Sequence, residues 1–144
     1  MHTHEDVITA LDEKESWSLL ASMTLGRFVT TIAGEPEIFP VNFVVQHRTI
    51  LFRTAEGTKL LTAVMSDRVA FEADDHNLEE GWSVVVKGRA HALSTSAEIE
   101  EGDRAQLLSW TPTLKLHYVR IYPAEITGRR FRFGAEPDRE DVLA

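Results

Sequence analysis

Short apolar blocks alternate with turn-forming residues along most of the chain. β-Branched and aromatic residues over 27–33, 38–45 and 49–53 are separated by Gly34-Glu35-Pro36 and by His47-Arg48, which predicts three strands joined as a meander. A glycine inside a strong strand often marks a bulge or a point where another backbone packs closely, and we expect one of these at Gly88. Further strands are predicted over 68–73, 82–93, 115–122 and 125–133, the last two divided at Pro123.

Helices are predicted at three places, two of them marked by capping spacing. Asp12 with Glu15, and Thr95 with Glu98, have the spacing of a capping box, so we expect helices from about 12 to the glycine at 26 and from 95 to about 108. A short helix is expected over 58–65. Because hairpins rather than crossover helices join consecutive strands, the pattern predicts a small, closed or partly closed, mainly β barrel of six to seven antiparallel strands with peripheral helices.

The length and composition fit one globular domain, which we place at 1–133, followed by an acidic tail over 134–144. The chain has 144 residues, with 15 Lys and Arg against 23 Asp and Glu, a formal charge of −8. This balance argues against a broad nucleic-acid surface. The absence of cysteine excludes disulfides and Cys-ligated metals, the scattered histidines predict no metal site, and no apolar run is long enough to span a membrane. We therefore expect a cytoplasmic protein.

One segment carries the residue types that a phosphate group needs. Arg53 and Thr54 end a predicted strand, and Thr58 and Lys59 follow Gly57 at the start of the next predicted helix. Cations, hydroxyls and the N–H groups of a helix N-terminus together can bind a phosphate monoester. The segment lacks the order of a Walker A loop, which disfavours nucleoside triphosphate hydrolysis. A capped surface helix with two solvated cations would give the same pattern, so both interpretations remain open.

A second segment, Phe39-Pro40-Val41-Asn42-Phe43, places proline and asparagine inside an apolar strand. Proline removes a ladder hydrogen bond, so the strand is either an edge or bulged strand, or one whose released backbone groups and Asn42 face a planar heteroaromatic ligand. The third segment, from Gly81-Trp82-Ser83 to Gly88-Arg89-Ala90, is by itself only a strong strand.

Taken in order and spacing, these three segments resemble the pyridoxamine 5'-phosphate oxidase-like, FMN-binding split-barrel family, and most closely its small bacterial, nitroimidazole-reductase-like branch. The resemblance covers about residues 11–133 and implies a Greek-key-like split β-barrel. It also implies a homodimer with FMN in a cleft between the subunits, acting as a flavin-dependent oxidoreductase on a small molecule. No catalytic side chain is implied, because the flavin carries the redox chemistry.

The resemblance also implies roles for individual residues. Pro40, Val41, Asn42 and Phe43 would run along the isoalloxazine ring, and Ser83 would contact it. To these we add Trp82 and Trp110 as our own candidates for aromatic walls, one of them contributed by the partner subunit. The ring and ribityl chain would lie near Arg53 and Thr54, and the phosphate would be held by Thr58 and Lys59, next to Leu60. The basic stretch 128–133 does not reproduce the substrate-binding C-terminus of the larger oxidases, which puts vitamin B6 oxidation in doubt. Two alternatives remain: an F420-type deazaflavin reductase and a non-enzymatic flavin or haem carrier.

Overall fold

The computed structural model describes residues 7–54, 68–105 and 117–135, which form seven strands and two helices. The helices are α1 (Glu13–Ala21) and α2 (Ser96–Arg104). The strands are β1 (Ile8–Leu11), β2 (Leu25–Ile32), β3 (Glu35–Gln46), β4 (Thr49–Thr54), β5 (Arg68–His76), β6 (Glu80–Ala92) and β7 (His117–Arg132).

All the strand pairs are antiparallel, in the order β1-β7-β4-β3-β2-β5-β6, and a further ladder between β6 and β7 closes the sheet. The meander β2-β3-β4 is followed by β5, which returns to pair with β2, so the chain follows a Greek-key path. The predicted mainly β barrel with peripheral helices is confirmed. β1 lies outside the closed ring and pairs with the last part of β7.

The local signals at the two helix starts and at the His47-Arg48 turn give the structure that the sequence predicts, whereas the turn predicted at Gly34-Glu35-Pro36 lies at Ala33-Gly34, because β3 already begins at Glu35. The Asp12 carboxylate accepts a hydrogen bond from the Glu15 backbone N–H at 2.7 Å, and Thr95 forms a complete capping box with Glu98. At the hairpin tip His47 and Arg48 have φ values of 52° and 54°, the left-handed pair that a tight two-residue hairpin requires.

The barrel interior is filled by apolar side chains from every strand of the ring. Phe28, Phe52 and Phe71 are fully buried, and the ring centroids of Phe28 and Phe52 lie 4.9 Å apart. α1 adds Trp17 and Leu20 to the same core. Because side chains alternate between the two faces of a strand, each residue next to one of these core positions faces outward.

One expectation about the strands is wrong, and one strand was not predicted. β7 is one continuous strand, although we expected two strands divided at Pro123. Pro123 pairs with Gly88 at a register shift between Lys87 and Gly88, so the proline occupies an irregularity of the ladder, where its missing N–H is tolerated. The bulge expected at Gly88 is present. β1 was not expected, because its four residues show no alternation of apolar and polar side chains.

Several expectations lie outside the described residues: the helix over 58–65, the end of α2 beyond Ala105, and most of the acidic tail. None of the helices in the described ranges is long and apolar enough to cross a membrane.

Candidate functional site

The segment of β3 singled out from the sequence divides between the two faces of the barrel wall. Val41 and Phe43 point inward and are 8% and 3% exposed. Pro40 and Asn42 therefore lie on the outer face, where Pro40 is exposed and Asn42 is half-buried. Within the described part of the chain, β4 pairs with β3 only from Phe43 onward, so Pro40 lies where β3 has a free edge toward β4. This is the edge position that a proline in a strand requires.

Asn42 is hydrogen-bonded on one side of its amide only. Its Nδ2 donates to the Thr24 carbonyl oxygen at 3.1 Å. Its Oδ1 is buried and accepts no hydrogen bond from any residue that the structure describes. A buried amide oxygen without a donor is costly and uncommon. Asn42 therefore presents an acceptor that fits the N–H of a ligand.

Arg53 lies beside Asn42 on the same outer face. The β3–β4 register, continued one residue beyond the Phe43–Phe52 pair, places Arg53 opposite Asn42. The Arg53 guanidinium carbon lies 5.2 Å from the ring centroid of Tyr118, a cation–π contact that orients the side chain. Thr54, the next residue, is 5% exposed and ends β4.

Tyr118 is itself held in place, and so supports Arg53. Its hydroxyl donates to Asp103 Oδ1 at 2.7 Å, and the face of its ring packs against Gly102 of α2. Burial raises the pKa of Tyr118, and the hydrogen bond to Asp103 adds to the rise, so the phenol stays protonated at neutral pH. α2 thus fixes the aromatic platform on which Arg53 rests.

Trp82 and Ser83 lie near the start of β6, and their side chains point to opposite faces of the strand. Trp82 packs against the barrel core, which agrees with the ordinary structural role of an aromatic at that position. Ser83 is on the outer face and pairs with Asp74. Both residues border a cavity of about 260 Å³. The remaining lining residues are Asp74, Asp75, His76, Gly81, Phe131 and Phe133.

The ladders align Asn42 and Ser83 in one row across the outer face. Asn42 pairs with Leu25, the β2–β5 register continues from Leu25 to Asp74, and Asp74 pairs with Ser83. Three strand spacings separate Asn42 from Ser83, which is about 14 Å. The row therefore joins two members of the predicted site, Asn42 and Ser83, over a length that suits a tricyclic ring, whereas Val41, Phe43 and Trp82 face the barrel core.

Sequence reasoning missed a charged group between the two ends of this row. Arg27 Nη1 donates to Glu72 Oε1 at 2.6 Å and to Asp74 Oδ2 at 2.9 Å. Burial raises the pKa of Glu72 to about 7, the neighbouring Asp74 adds to the rise, and Arg27 opposes it. Arg27 is 45 residues from Glu72 in the chain, so only the strand register could have shown this contact.

Several predicted site residues cannot be placed. Thr58, Lys59, Leu60 and Trp110 lie outside the described residues, so the four-residue phosphate cluster stays a prediction in which Arg53 and Thr54 alone are positioned. Among residues 7–54, 68–105 and 117–135, no group of three or more His, Asp and Glu side chains is arranged to hold a metal ion.

The closed, six-stranded Greek-key barrel of β2 to β7 has the architecture of the split-barrel proteins. The family model described as pyridoxamine 5'-phosphate oxidase matches residues 12–130. The chain belongs to this family, as the sequence resemblance implied.

Individual relatives agree with this assignment. Protein Rv3129 of Mycobacterium tuberculosis, named only as uncharacterised, is 64% identical over 101 residues, covering 70% of this chain and 92% of its own length. The FAD-binding protein of Mycobacterium smegmatis is 55% identical, with a TM-score of 0.76, over 87% of this chain and 99% of its own. A Corynebacterium glutamicum protein with the provisional name pyridoxamine 5'-phosphate oxidase is 43% identical, with a TM-score of 0.84, over 94% of this chain and 99% of its own.

Proposed function

We propose that the protein is a flavin-dependent oxidoreductase that binds FMN along the outer-face row from Asn42 to Ser83. The observation that carries the proposal is the buried, unsatisfied Oδ1 of Asn42. The rim of an isoalloxazine ring carries an N–H donor, and pairing it with Asn42 would remove the cost of the orphaned acceptor. The FAD-binding name of the M. smegmatis relative, at 55% identity, supports a flavin at this site.

Each described residue of the site would have a distinct part in holding the flavin. Asn42 would orient the ring by its hydrogen bond, and Arg53, fixed over Tyr118, would supply positive charge to the phosphate-bearing end. Thr54 would complete that end together with Thr58 and Lys59. The bound flavin supplies hydride or single-electron transfer, and the protein supplies binding, orientation and exclusion of water.

The proposal is tested by FMN titration of the double variant Arg53→Ala, Lys59→Ala. Removing two charge-assisted contacts, each of about 1.5 kcal/mol or more, should weaken FMN binding by about 100-fold or more. Lys14→Ala, which removes an exposed cation on α1, is the matched control and should leave the affinity unchanged. Wild-type protein that neither quenches FMN fluorescence nor gains thermal stability from FMN would contradict the proposal.

The same preparation distinguishes the two alternatives. Competition between FMN and an F420-type deazaflavin should favour FMN, because a polyglutamyl tail requires a basic groove and the chain is acidic overall. Reduction of the bound flavin by NADH or NADPH would identify an enzyme. Flavin that binds tightly and is never reduced would indicate a carrier.

We further propose that the flavin-binding form is a homodimer, because the row from Asn42 to Ser83 lies on an open outer face. Apolar residues on this face are exposed, including Ile38 at 63%. A second copy that covered the row would exclude water from the ring. Sedimentation equilibrium should give twice the chain mass of 16.2 kDa, and a monomer with bound FMN would contradict this part of the proposal.

A further inference from the structure

Three cations meet on the outer face of β5 and β6, at the opposite end of these strands from Ser83. Arg68 and Arg89 are directly paired across the β5–β6 ladder, and Lys87 lies two residues from Arg89 on the same face. Like charges placed directly opposite each other destabilise a sheet. We refer to Arg68, Lys87 and Arg89 as the basic cluster.

One carboxylate lies in register with the basic cluster, because Glu125 of β7 is paired with Lys87 across the β6–β7 ladder, but no salt bridge joins the two side chains. None of its three side chains forms an ion pair with a residue in the described part of the chain, where Arg27, Arg48 and Arg130 do form ion pairs. The chain carries 23 acidic residues against 15 Lys and Arg, so acidic partners are abundant in composition. A concentration of unpaired cations on an acidic protein points to an anion that the protein chain itself does not supply.

A cavity of about 220 Å³ adjoins the basic cluster and is bordered by Arg68 and Lys87. It forms where the β2–β5 ladder ends at the Val29–Ala70 pair and the two strands separate. Its other lining residues are largely apolar: Val29, Pro36, Val69 and Ala70, with Thr30 and Thr31. This volume is below the usual range for drug-sized ligands and suits a small molecule.

We propose that the basic cluster and the adjoining cavity form a binding site for a small phosphate ester, distinct from the flavin row. The cations would bind the phosphate oxygens and the cavity would take the apolar part of the ester. Lys87 lies four residues along β6 from Ser83, which is about 13 Å. The site does not depend on flavin binding and can be tested without it.

The test is a titration with phenyl phosphate, followed by NMR or calorimetry at low salt, with FMN first absent and then saturating. We expect saturable binding under both conditions, and weaker binding of inorganic phosphate, which cannot fill the cavity. The double variant Arg68→Gln, Lys87→Gln should lose at least about tenfold in affinity, because it removes two charge-assisted contacts. Lys14→Gln removes an exposed charge elsewhere and should bind like the wild type.

Several results would overturn the proposal. They are the absence of phenyl phosphate binding, equal affinity for inorganic phosphate, an equal loss in Lys14→Gln, and displacement of the ester by saturating FMN. A change in the oligomeric state of Arg68→Gln, Lys87→Gln would show that the cations meet carboxylates of a second copy, which also contradicts a small-molecule site. Both substituted side chains are exposed, so circular dichroism should confirm an intact fold.

Discussion

Among the residues that the structure describes, Glu72 is a carboxyl group whose charge depends strongly on the fold. Its pKa rises to about 7 because burial disfavours the carboxylate and Asp74 lies two residues away on the same face, although Arg27 contacts both. A carboxyl group whose pKa is higher in the folded than in the unfolded chain stabilises the fold at low pH. That contribution is present below about 4.5 and is lost as the pH rises through about 7.

The resulting prediction concerns stability between pH 5 and pH 7.5. Glu72→Gln removes the titrating group, so urea unfolding of the variant should show a smaller loss of stability over this interval than the wild type. Because Glu72 is partly exposed and solvent screens its interactions, we expect a difference of about 1 kcal/mol. Glu100→Gln, at an exposed position of α2, is the control and should retain the wild-type slope. Parallel curves for wild type and Glu72→Gln would contradict the prediction.

Single residues also show what sequence alone can identify. Asn42 and Arg53 were singled out from their residue types and positions in strands. The structure places both on the outer face, and the β3–β4 register, continued by one residue, sets Arg53 opposite Asn42. The orphaned Oδ1 of Asn42, and the contact of Arg27 with Glu72 and Asp74, were not predictable. Both depend on which residues of distant strands become neighbours, and this is set by the register.

Gly88 determines how two long strands can stay paired around an irregularity. A Cβ at this position would clash with the carbonyl oxygen of Tyr122 and would lie 3.0 Å from the Cα of Pro123. The bulge therefore requires a residue without a side chain, and it lets β7 continue through its proline. This one contact explains why β7 is a single strand.

We predict that Gly88→Ala destabilises the protein by about 3 kcal/mol, since backbone atoms must shift to admit the methyl group. Thermal or urea unfolding measures the change. The matched control is Gly134→Ala, where a Cβ would meet nothing within 4 Å and stability should be unchanged. Wild-type stability in Gly88→Ala would show that the bulge is not closely packed.

At the level of elements, predictions were correct where the signal is local. Capping at Asp12 and Thr95, and the turn at His47-Arg48, depend on neighbours within a few residues, and the structure confirms them. The missed strand β1 and the incorrect division of β7 both concern strands defined by distant partners. The predicted end of the first helix at Gly26 was also wrong, because α1 ends at Ala21 and Gly26 lies in β2. Proline interrupts a strand only at a position where the ladder needs a backbone N–H donor. Pro123 lies at the register shift between Lys87 and Gly88, where the ladder is irregular.

The whole barrel depends on the ladder between β6 and β7. This ladder pairs 13 residues of β6, from Glu80 to Ala92, whereas β1 is attached to β7 by four pairs. β1 is also largely exposed, and the central part of β6 alternates buried valines such as Val84 and Val86 with outward residues. The free energy needed to open the backbone should therefore differ strongly between the two regions.

Hydrogen exchange tests this difference. We predict that amides in the middle of β6 and β7 exchange only by global unfolding and that amides of β1 exchange by local opening, several orders of magnitude faster. Mass spectrometry of peptides covering Ile8–Leu11 and Glu80–Ala92 would measure both rates in one sample. Equal protection of the two peptides would contradict the prediction and would show that β1 is part of the cooperative core.

β7 contacts β4, β6 and β1, so a single late segment completes three ladders. During synthesis, the edge of β4 stays unpaired until His117 to Ile121 have left the ribosome. The edge of β6 that faces β7 is fully paired only after Arg132 has also emerged. Until then the nascent chain exposes unpaired backbone groups that could join another molecule. Slow translation of the final strand would therefore raise the risk of aggregation, and a chaperone that shields those edges would lower it.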